Sequence, residues 1–186
     1  MTLRLYQIQD SYIEHCMLLD AGVTRSKEAH EKFDRKYVGI IMEINGFSYF
    51  APLSSSKVKH ETMRESIDFI KIEDENGLYA VLNLNNMIPV PSIAVINLDI
   101  SDEQDVKYRD LLKKEREIIL SKKDKIIKNA ENLYEKVAIQ KNTRLSERCC
   151  DFKLLETKIP SYQSFIIEST KEEIERVLKE TASVVE

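Results

Sequence analysis

The stretch that decides the fold is residues 35–60, which read RKYVGIIMEINGFSYFAPLSSSKVKH. Two apolar runs flank Asn45-Gly46, and this dipeptide is typical of the two-residue type I′ turn that joins antiparallel strands. The second run leads directly into hydroxyl and basic side chains, beginning with Ser54. The stretch therefore predicts a β-hairpin with a polar, partly basic cluster at its open end.

The turn also predicts which hairpin residues face each other. Pairing outward from the turn gives one wholly apolar face, which we expect to line the core. The other face pairs Tyr37 with Ser54 and, one step further, Arg35 with Ser56, unless a bulge at Pro52 shifts the outward set by one residue. Directly opposed side chains lie about 5 Å apart. We therefore expect a cluster, named here the hairpin mouth, that comprises Arg35, Tyr37, Ser54, Ser55, Ser56 and Lys57.

The rest of the first hundred residues combines short strand patterns with turn signals. Alternating apolar and polar residues predict a strand over residues 3–8, and Asp10 or Ser11 is a typical cap for the helix that follows. The expected buried stripe of that helix is Ile13, Met17 and Leu18. Further strands are predicted over residues 68–72, 78–84 and 93–98, and the proline-broken residues 87–91 suit a sheet edge.

From Ser101 onwards the pattern becomes helical, with apolar residues at three- and four-residue spacing. Ser101 and Gln104 form a capping-box pattern, and Ser121 indicates a break between two long helices. A last, mostly acidic helix is predicted over residues 172–179. These patterns predict a single α+β domain over residues 1–186, in which 1–100 are rich in antiparallel sheet and 101–186 are helical.

Composition narrows the class of protein. The chain has 186 residues and a formal net charge of −4, whereas general nucleic-acid binders are usually basic. Its three cysteines, Cys16, Cys149 and Cys150, fit neither a disulfide framework nor a zinc site. The polar N-terminus does not resemble a signal peptide, and no apolar run approaches the length of a membrane span. We therefore expect a cytoplasmic protein with no membrane partner.

Common catalytic motifs are missing from the sequence. There is no glycine-rich phosphate loop, no HExxH motif and no cysteine pair at metal-binding spacing, so we expect neither a cofactor nor a metal. The hairpin mouth remains, and hydroxyls, ammonium groups and backbone N–H groups at a strand end can converge on a phosphate. A Ser-Ser-Ser-Lys run is also typical of a solvated loop, so the residues alone leave both interpretations open.

The hairpin residues also carry a family resemblance. They resemble the ToxN/AbiQ family, the endoribonuclease toxins of type III toxin–antitoxin and phage-abortive-infection systems. The resemblance covers roughly the first 156 residues, and its blocks occur in the family's order and spacing. The matching blocks are YVGI at 37–40, EING at 43–46, Tyr49 with APLSSSK at 51–57, the opening strand and helix around Tyr6, Ile8, Tyr12, Ile13 and Asp20, LNL with MIPV at 82–90, and CDFKLLE at 150–156.

This resemblance implies a strongly twisted, barrel-like antiparallel sheet wrapped by helices, akin to toxins of the Kid/MazF type. It implies metal-independent RNA cleavage, in which the ribose 2′-hydroxyl attacks the adjacent phosphate and leaves a 2′,3′-cyclic phosphate. It also implies mRNA substrates and inhibition by a small repeat-derived antitoxin RNA, often a pseudoknot, in a closed protein–RNA oligomer.

The resemblance assigns site residues one by one. The family's hydroxyl pair falls on Ser54 and Ser55, its following lysine on Lys57, its basic residue before the hairpin on Arg35, and its helix tyrosine on Tyr12. The chain departs from the family in having serine where threonine is usual at the first hydroxyl. It also has arginine at a position where members can carry lysine, and a guanidinium clamps a phosphate but does not act as a base.

The expected roles follow from the chemistry of the transition state. Arg35, Lys57 and the serine hydroxyls would stabilise charge on the phosphate. Proton transfer would fall to Lys57, tuned by the neighbouring Arg35 charge, or to His60. Tyr12 would orient the substrate or stack a base. His60 fits a surface-loop histidine equally well, and Tyr12 fits an ordinary packing aromatic equally well.

Basic side chains outside this cluster are expected to follow the RNA backbone and to make binding salt-dependent. A solvated helix face is the competing interpretation for most of them. Two other functions stay open at this point, a non-catalytic module that sequesters a structured RNA and a protein-interaction scaffold built on the long helices. The predicted RNA-binding residues are Lys36, Ser56, Lys59, Lys107, Arg109, Lys113, Lys114, Arg116, Lys122 and Lys123.

Overall fold

The structure is a computed structural model. It describes residues 3–23, 36–44 and 46–183, with side chains except those of residues 165, 169 and 172–183. Arg35 and Asn45, both used in the predictions above, lie outside the described residues.

The described chain forms one antiparallel sheet with helices packed around it. The strands are β1 Arg4–Ile8, β2 Lys36–Ile44, β3 Phe47–Ser55, β4 Phe69–Asp74, β5 Gly77–Asn83, β6 Ile88–Pro89 and β7 Val95–Asn97. The α-helices are α1 Asp10–Leu19, α2 Val58–Thr62, α3 Val106–Ser121, α4 Lys123–Tyr134, α5 Thr143–Ser146 and α6 Phe152–Ser183. Short 3₁₀ turns occupy Leu84–Asn86, Ser92–Ala94 and Ile100–Asp102, and a π-helical turn at Glu135–Ile139 follows α4.

The strand order is β4-β5-β3-β2-β1-β7, and β6 adds to β3 beside β5. Every pairing among the described strands is antiparallel. The predicted α+β class is therefore confirmed. The barrel-like closure is not, because the described strands at the two edges, β4 and β7, do not pair and the sheet is open.

The hairpin follows the predicted register only near its turn. Ile44 faces Phe47 and Met42 faces Tyr49, as expected, but further out Val38 faces Ala51 instead of Leu53. Between the paired residues Val38 and Met42, β2 has three residues, 39–41. The facing stretch of β3 has only Phe50, so β2 holds a bulge of two extra residues. The alternative of a bulge at Pro52 is not found, because Pro52 pairs with Tyr37, and the predicted pairing of Tyr37 with Ser54 is wrong. The offset of two keeps the paired residues outside the bulge on their expected faces, whereas Ile40 lines a cavity with Ser48 and Phe50 on the other face.

Gly39 explains why the bulge lies where it does. A Cβ atom added to Gly39 would collide with the Phe50 ring, so only glycine lets the two strands approach this closely. The ring of Phe50 is itself buried and contacts Tyr6 edge to face at 5.3 Å between centroids. The second face of the hairpin is thus also largely covered, with Tyr37 and Ile41 buried beside Phe50.

The first helix buries a different face from the one predicted. Its buried residues are Tyr12, Ile13 and Cys16, whereas Met17 is exposed and Leu18 is 88 % exposed. The reason is α6, since Tyr162 packs edge-on against Tyr12 with ring centroids 4.9 Å apart. The predicted cap is also wrong, because Gln9 precedes the helix and no side chain caps it.

The helical half matches the prediction in outline and differs at its ends. The break after Ser121 is confirmed. The capping box at Ser101 is wrong, because Asp105 caps α3 by accepting the N–H groups of Lys107 and Tyr108. The last helix is far longer than the expected 172–179 and runs over 32 residues. No helix in the described part of the chain is both long and apolar enough to cross a bilayer.

A buried carboxylate ties the sheet to the helices. Glu156 on α6 accepts the hydroxyls of Tyr49 and Tyr134, each at 2.7 Å, through the same oxygen. Lys153 donates to its other oxygen at 3.0 Å. Since the charge is paired and hydrogen-bonded, it can be buried without a large net cost. The arrangement fixes β3, and with it the site at the end of β3.

Candidate active site

The end of β3 opens into a cavity of about 300 Å³, named here the site cavity. It forms because β3 ends at Ser55 and the chain turns directly into the short helix α2. The end of β5 and the following 3₁₀ turn close the other side. Its lining residues are Pro52, Ser54, Lys57, Lys59, His60, Asn83 and Asn86. Among the described residues the lining includes two lysines and no carboxylate, so this part of the cavity favours an anion.

Ser54 is the hydroxyl that the structure places against this cavity. Its side chain is half-buried, and its Oγ accepts a hydrogen bond from Asn83 Nδ2 at 3.1 Å. With that oxygen already accepting, the hydroxyl proton is left to donate to a bound phosphate oxygen. Ser55 and Ser56 are exposed and do not line the cavity. Ser55 follows Ser54 on β3 and so faces the other side of the strand, and Ser56 lies beyond the end of β3.

Asn83 is a site residue that the sequence reasoning did not single out. It lies within the LNL block that carried the family resemblance, but spacing alone did not bring it to Ser54. The contact depends on β5 pairing with β3, where Ser54 faces Val81 and Leu53 faces Leu82. The nearby Asn86 has a structural task, since its Nδ2 donates to the carbonyl of Gly22 at 2.8 Å.

His60 is held in a defined orientation at the floor of the cavity. Its Nδ1 accepts the backbone N–H of Lys57 at 3.1 Å, and its own backbone N–H donates to the Lys57 carbonyl at 2.7 Å. The ring is 7 % exposed and packs against Phe69. Burial, together with the charges of Lys59 and Lys57, lowers the pKa of His60 below its ordinary value. The neutral ring therefore carries its proton on Nε2.

Two predicted site residues lie away from the cavity. Tyr12 is 1 % exposed, and its hydroxyl donates to the carbonyl of Pro89 at 2.5 Å, while burial raises the pKa of the phenol. A ring enclosed in this way cannot stack a base, so the structure places Tyr12 in the core. Lys36 is 7 % exposed, with its ammonium 5.9 Å from the centroid of the Tyr108 ring, and this burial argues against backbone contacts with RNA.

The other predicted RNA-binding residues on the helices fall into three groups. Three have internal partners: Lys114 pairs with Asp74 at 2.8 Å, Lys122 donates to the carbonyl of Lys71 at 2.8 Å, and Arg109 donates to the carbonyl of Glu103 at 3.1 Å. Lys107 is exposed, and Lys123 is partly exposed. Lys113 and Arg116 line a separate cavity at the β1–β7 edge of the sheet. The site cavity therefore gathers Ser54, Lys57, Lys59 and His60, but not the whole predicted set.

These features define a class: an α+β protein with an open antiparallel sheet, whose central strand ends in a cavity lined by hydroxyl, lysine, imidazole and amide groups. Comparison with known proteins narrows this class. The family model for the toxin ToxN of type III toxin–antitoxin systems matches residues 4–160, which include the whole site cavity.

Two curated relatives have similar lengths and clear sequence identity. Endoribonuclease ToxN of Bacillus thuringiensis subsp. kurstaki is 30 % identical over 167 residues, which cover 86 % of this chain and 84 % of the relative. Endoribonuclease AbiQ of Lactococcus lactis subsp. lactis is 32 % identical over 170 residues, which cover 87 % and 90 %.

Two solved structures share the fold. One is of a type III system in which a non-coding RNA pseudoknot selectively inhibits the toxin; it matches with a TM-score of 0.79 at 30 % identity. The other is of AbiQ, a lactococcal anti-phage endoribonuclease, with a TM-score of 0.78 at 30 % identity. Each match covers 88 % of this chain and 99 % of the solved chain. The chain belongs to the ToxN family of type III toxin–antitoxin systems, and the predicted enzyme class, an endoribonuclease, is confirmed.

Proposed function

We propose that this chain is a metal-independent endoribonuclease toxin that cuts RNA by attack of a ribose 2′-hydroxyl on the adjacent phosphate. The products are a 2′,3′-cyclic phosphate and a free 5′-hydroxyl. The observation that carries the proposal is the convergence of Ser54, Lys57 and His60 on one cavity, whose described lining holds two lysines and no carboxylate. A phosphodiester is the anionic group of RNA, and this donor set matches its oxygens.

The donors of the cavity stabilise the phosphate as its charge rises in the transition state. The hydroxyl of Ser54, held by Asn83, and the ammonium of Lys57 contact the non-bridging oxygens. Ser55 and Arg35 stay in the proposed site as contacts to the nucleotides on either side. Because β3 and Asn83 hold the Ser54 hydroxyl before substrate arrives, that donor needs little reorganisation during the reaction.

His60 acts in this proposal as a hydrogen-bond donor. Its Nδ1 lone pair is occupied by the Lys57 amide, so the ring offers an Nε2–H group and no second lone pair for proton uptake. That N–H group is suited to the oxygen that leaves as the 5′-hydroxyl. Lys57 stays protonated at the phosphate, so the other lysine of the cavity, Lys59, takes the 2′-hydroxyl proton in its neutral form and returns it to the 5′-oxygen as that oxygen leaves.

We further propose that an antitoxin RNA inhibits the enzyme by occupying the site cavity, in a closed protein–RNA assembly, and that mRNA is the cellular substrate. The inhibited relative, with its non-coding RNA pseudoknot, supports this proposal. Lys57 and Lys59 are exposed, so an RNA phosphate backbone can reach them.

The test is cleavage of a labelled RNA by the purified protein in EDTA, read on a denaturing gel with analysis of the product ends. We expect cyclic phosphate ends, loss of cutting in Ser54→Ala and Ser55→Ala, and normal cutting in Ser164→Ala, an exposed serine on α6. Full-length RNA in the wild-type lane, with binding retained, would instead identify a non-catalytic RNA-binding module. Cleavage by both site variants at the wild-type rate would refute the site.

A further inference from the structure

We infer that the chain has a second nucleotide-binding site, a groove at the β1–β7 edge of the sheet that holds single-stranded RNA outside the site cavity. The inference deepens the proposed function, on which it rests for the identity of the ligand. The groove consists of two adjoining cavities, one basic of about 580 Å³ and one of about 290 Å³ with mixed apolar and polar walls, named here the apolar cavity. They adjoin because Tyr6 and Asn97 line both.

The basic cavity has the charge that a phosphate backbone requires. Arg4 on β1 and Lys113 and Arg116 on α3 line it, against a single carboxylate, Asp99. Asp99 is already engaged, since its Oδ1 accepts the backbone N–H of Ser101 at 2.9 Å and the Ser101 hydroxyl at 2.7 Å. These bonds lower the pKa of Asp99 and keep it turned to its own loop.

The cations of this cavity are largely available to a ligand. Within the described part of the chain, neither Arg4 nor Arg116 has an ion-pair partner, and both side chains are exposed. Lys113 has only a loose pair with Asp110 at 3.5 Å, with both side chains more than half exposed. Such surface pairs contribute little, so a phosphate can replace the carboxylate at small cost.

The apolar cavity has the shape and lining that a base requires. Ile40, Phe50, Val90 and Val95 supply its apolar walls. Tyr6 lies half-buried between the two cavities, where its ring offers a stacking surface. Asn97 is exposed at the edge strand and can donate to and accept from a base edge. A nucleotide thus finds an apolar pocket for its base next to a basic pocket for its phosphate.

The apolar cavity and the site cavity lie on the same face of β3, separated by the buried residues Phe50 and Pro52. Ser48 and Phe50 line the apolar cavity, and Pro52 and Ser54 line the site cavity. These four residues alternate along the strand and so share a face. Phe50 and Ser54 are four residues apart, about 13 Å along a strand. A single-stranded segment can place a base in the apolar cavity, whereas a duplex keeps its bases stacked and cannot.

The test measures binding of a fluorescent, fully 2′-O-methylated RNA ten nucleotides long, which lacks the attacking hydroxyl and so cannot be cut. The variant is the double change Arg4→Gln and Arg116→Gln. Its matched control, Lys136→Gln and Lys158→Gln, removes the same charge from exposed lysines elsewhere. We expect about tenfold weaker binding in the groove variant. The slope of log K against log salt concentration should become shallower by about 1.4, because each phosphate contact to a single strand contributes about 0.7 to that slope.

Two further readouts separate this inference from the proposed function. In RNA cleavage, the groove variant should raise KM and preserve kcat, since the site cavity is untouched. An abasic probe of the same length should bind wild-type protein about tenfold more weakly than the normal probe. Equal binding by groove variant and control overturns the groove, and equal binding of the abasic probe overturns the base pocket. If wild-type protein cuts no RNA, the proposed function fails, while the binding assay still reports on the groove.

Discussion

His60 accepts the backbone N–H of Lys57 through Nδ1 at 3.1 Å, and this bond determines which proton the imidazole carries. A protonated ring would have to donate from both nitrogens, so it would lose the bond to Lys57. Burial and the charge of Lys59 act in the same direction and lower the pKa of His60. The ring is therefore set as a neutral donor at the floor of the site cavity.

The first prediction concerns the titration of this histidine. We expect the NMR midpoint of the His60 ring to lie below 6.5, and the Lys59→Gln variant to raise it towards that value because a nearby positive charge is removed. The same change at the exposed Lys158 should leave the midpoint unchanged. The contribution of neutral His60 to the free energy of unfolding is complete above the pKa that this histidine has in the unfolded state. It is lost as the pH falls through the pKa of the folded state. A midpoint above 6.5 in the wild-type protein would contradict the neutral-donor assignment.

The second prediction concerns Asn83, whose amide holds the Ser54 hydroxyl. Asn83→Ala should lower kcat for RNA cleavage about fivefold to tenfold, since one orienting hydrogen bond contributes about 1 kcal/mol. Thermal unfolding should change little, because Asn83 is partly exposed. Asn132→Ala, an exposed asparagine on α4, serves as the control and should cut normally. An unchanged kcat in Asn83→Ala would mean that the Ser54 hydroxyl needs no orientation.

The third prediction concerns the buried Glu156 cluster. Tyr49→Phe should lower the free energy of unfolding by about 1.5–3 kcal/mol, because a hydrogen bond to a buried charge is lost. Urea denaturation gives the measurement. Tyr162→Phe loses a bond to the neutral hydroxyl of Ser11 at 3.0 Å and should cost less, about 1 kcal/mol. Equal losses in the two variants would show that the charge of Glu156 adds nothing.

The fourth prediction concerns Glu115, a carboxyl on the buried face of α3. Burial raises its pKa to about 7, so the folded protein favours the protonated form. The stability associated with this group is complete below the unfolded pKa near 4.5 and is lost as the pH rises through 7. Glu115→Gln should therefore be more stable than wild type at pH 8, by about 1–3 kcal/mol, and equal to it at pH 4. Glu117→Gln, exposed on the same helix, should show no such pH dependence.

Local patterns in the sequence predicted the hairpin, its turn-proximal register and the break between the two long helices. These features depend on residues close in sequence, namely the Asn-Gly dipeptide and the spacing of apolar side chains. The buried stripe of α1 was missed because Tyr162, 150 residues further along, decides which face of that helix is covered. Periodicity within one helix does not contain that information.

The candidate site also contains residues that the local sequence predicts and residues that only contacts between distant segments bring in. Ser54, Lys57, Lys59 and His60 lie within seven residues and were predicted together, and the structure gathers them around one cavity. Asn83 joins them only through the pairing of β5 with β3, and the family's tyrosine position, Tyr12, proved to be enclosed by Pro89 and α6. The β2 bulge at Gly39 likewise depends on contact with Phe50, which no local pattern shows.

The strand that carries Ser54 is hydrogen-bonded along both edges, to β2 on one side and to β5 and β6 on the other. The amides of such a strand are expected to be among the last in the protein to exchange with deuterium. A partner that silences the site by loosening its backbone would have to break up the centre of the sheet. Masking the cavity requires no such cost, so this architecture favours inhibitors that cover the site over inhibitors that deform it.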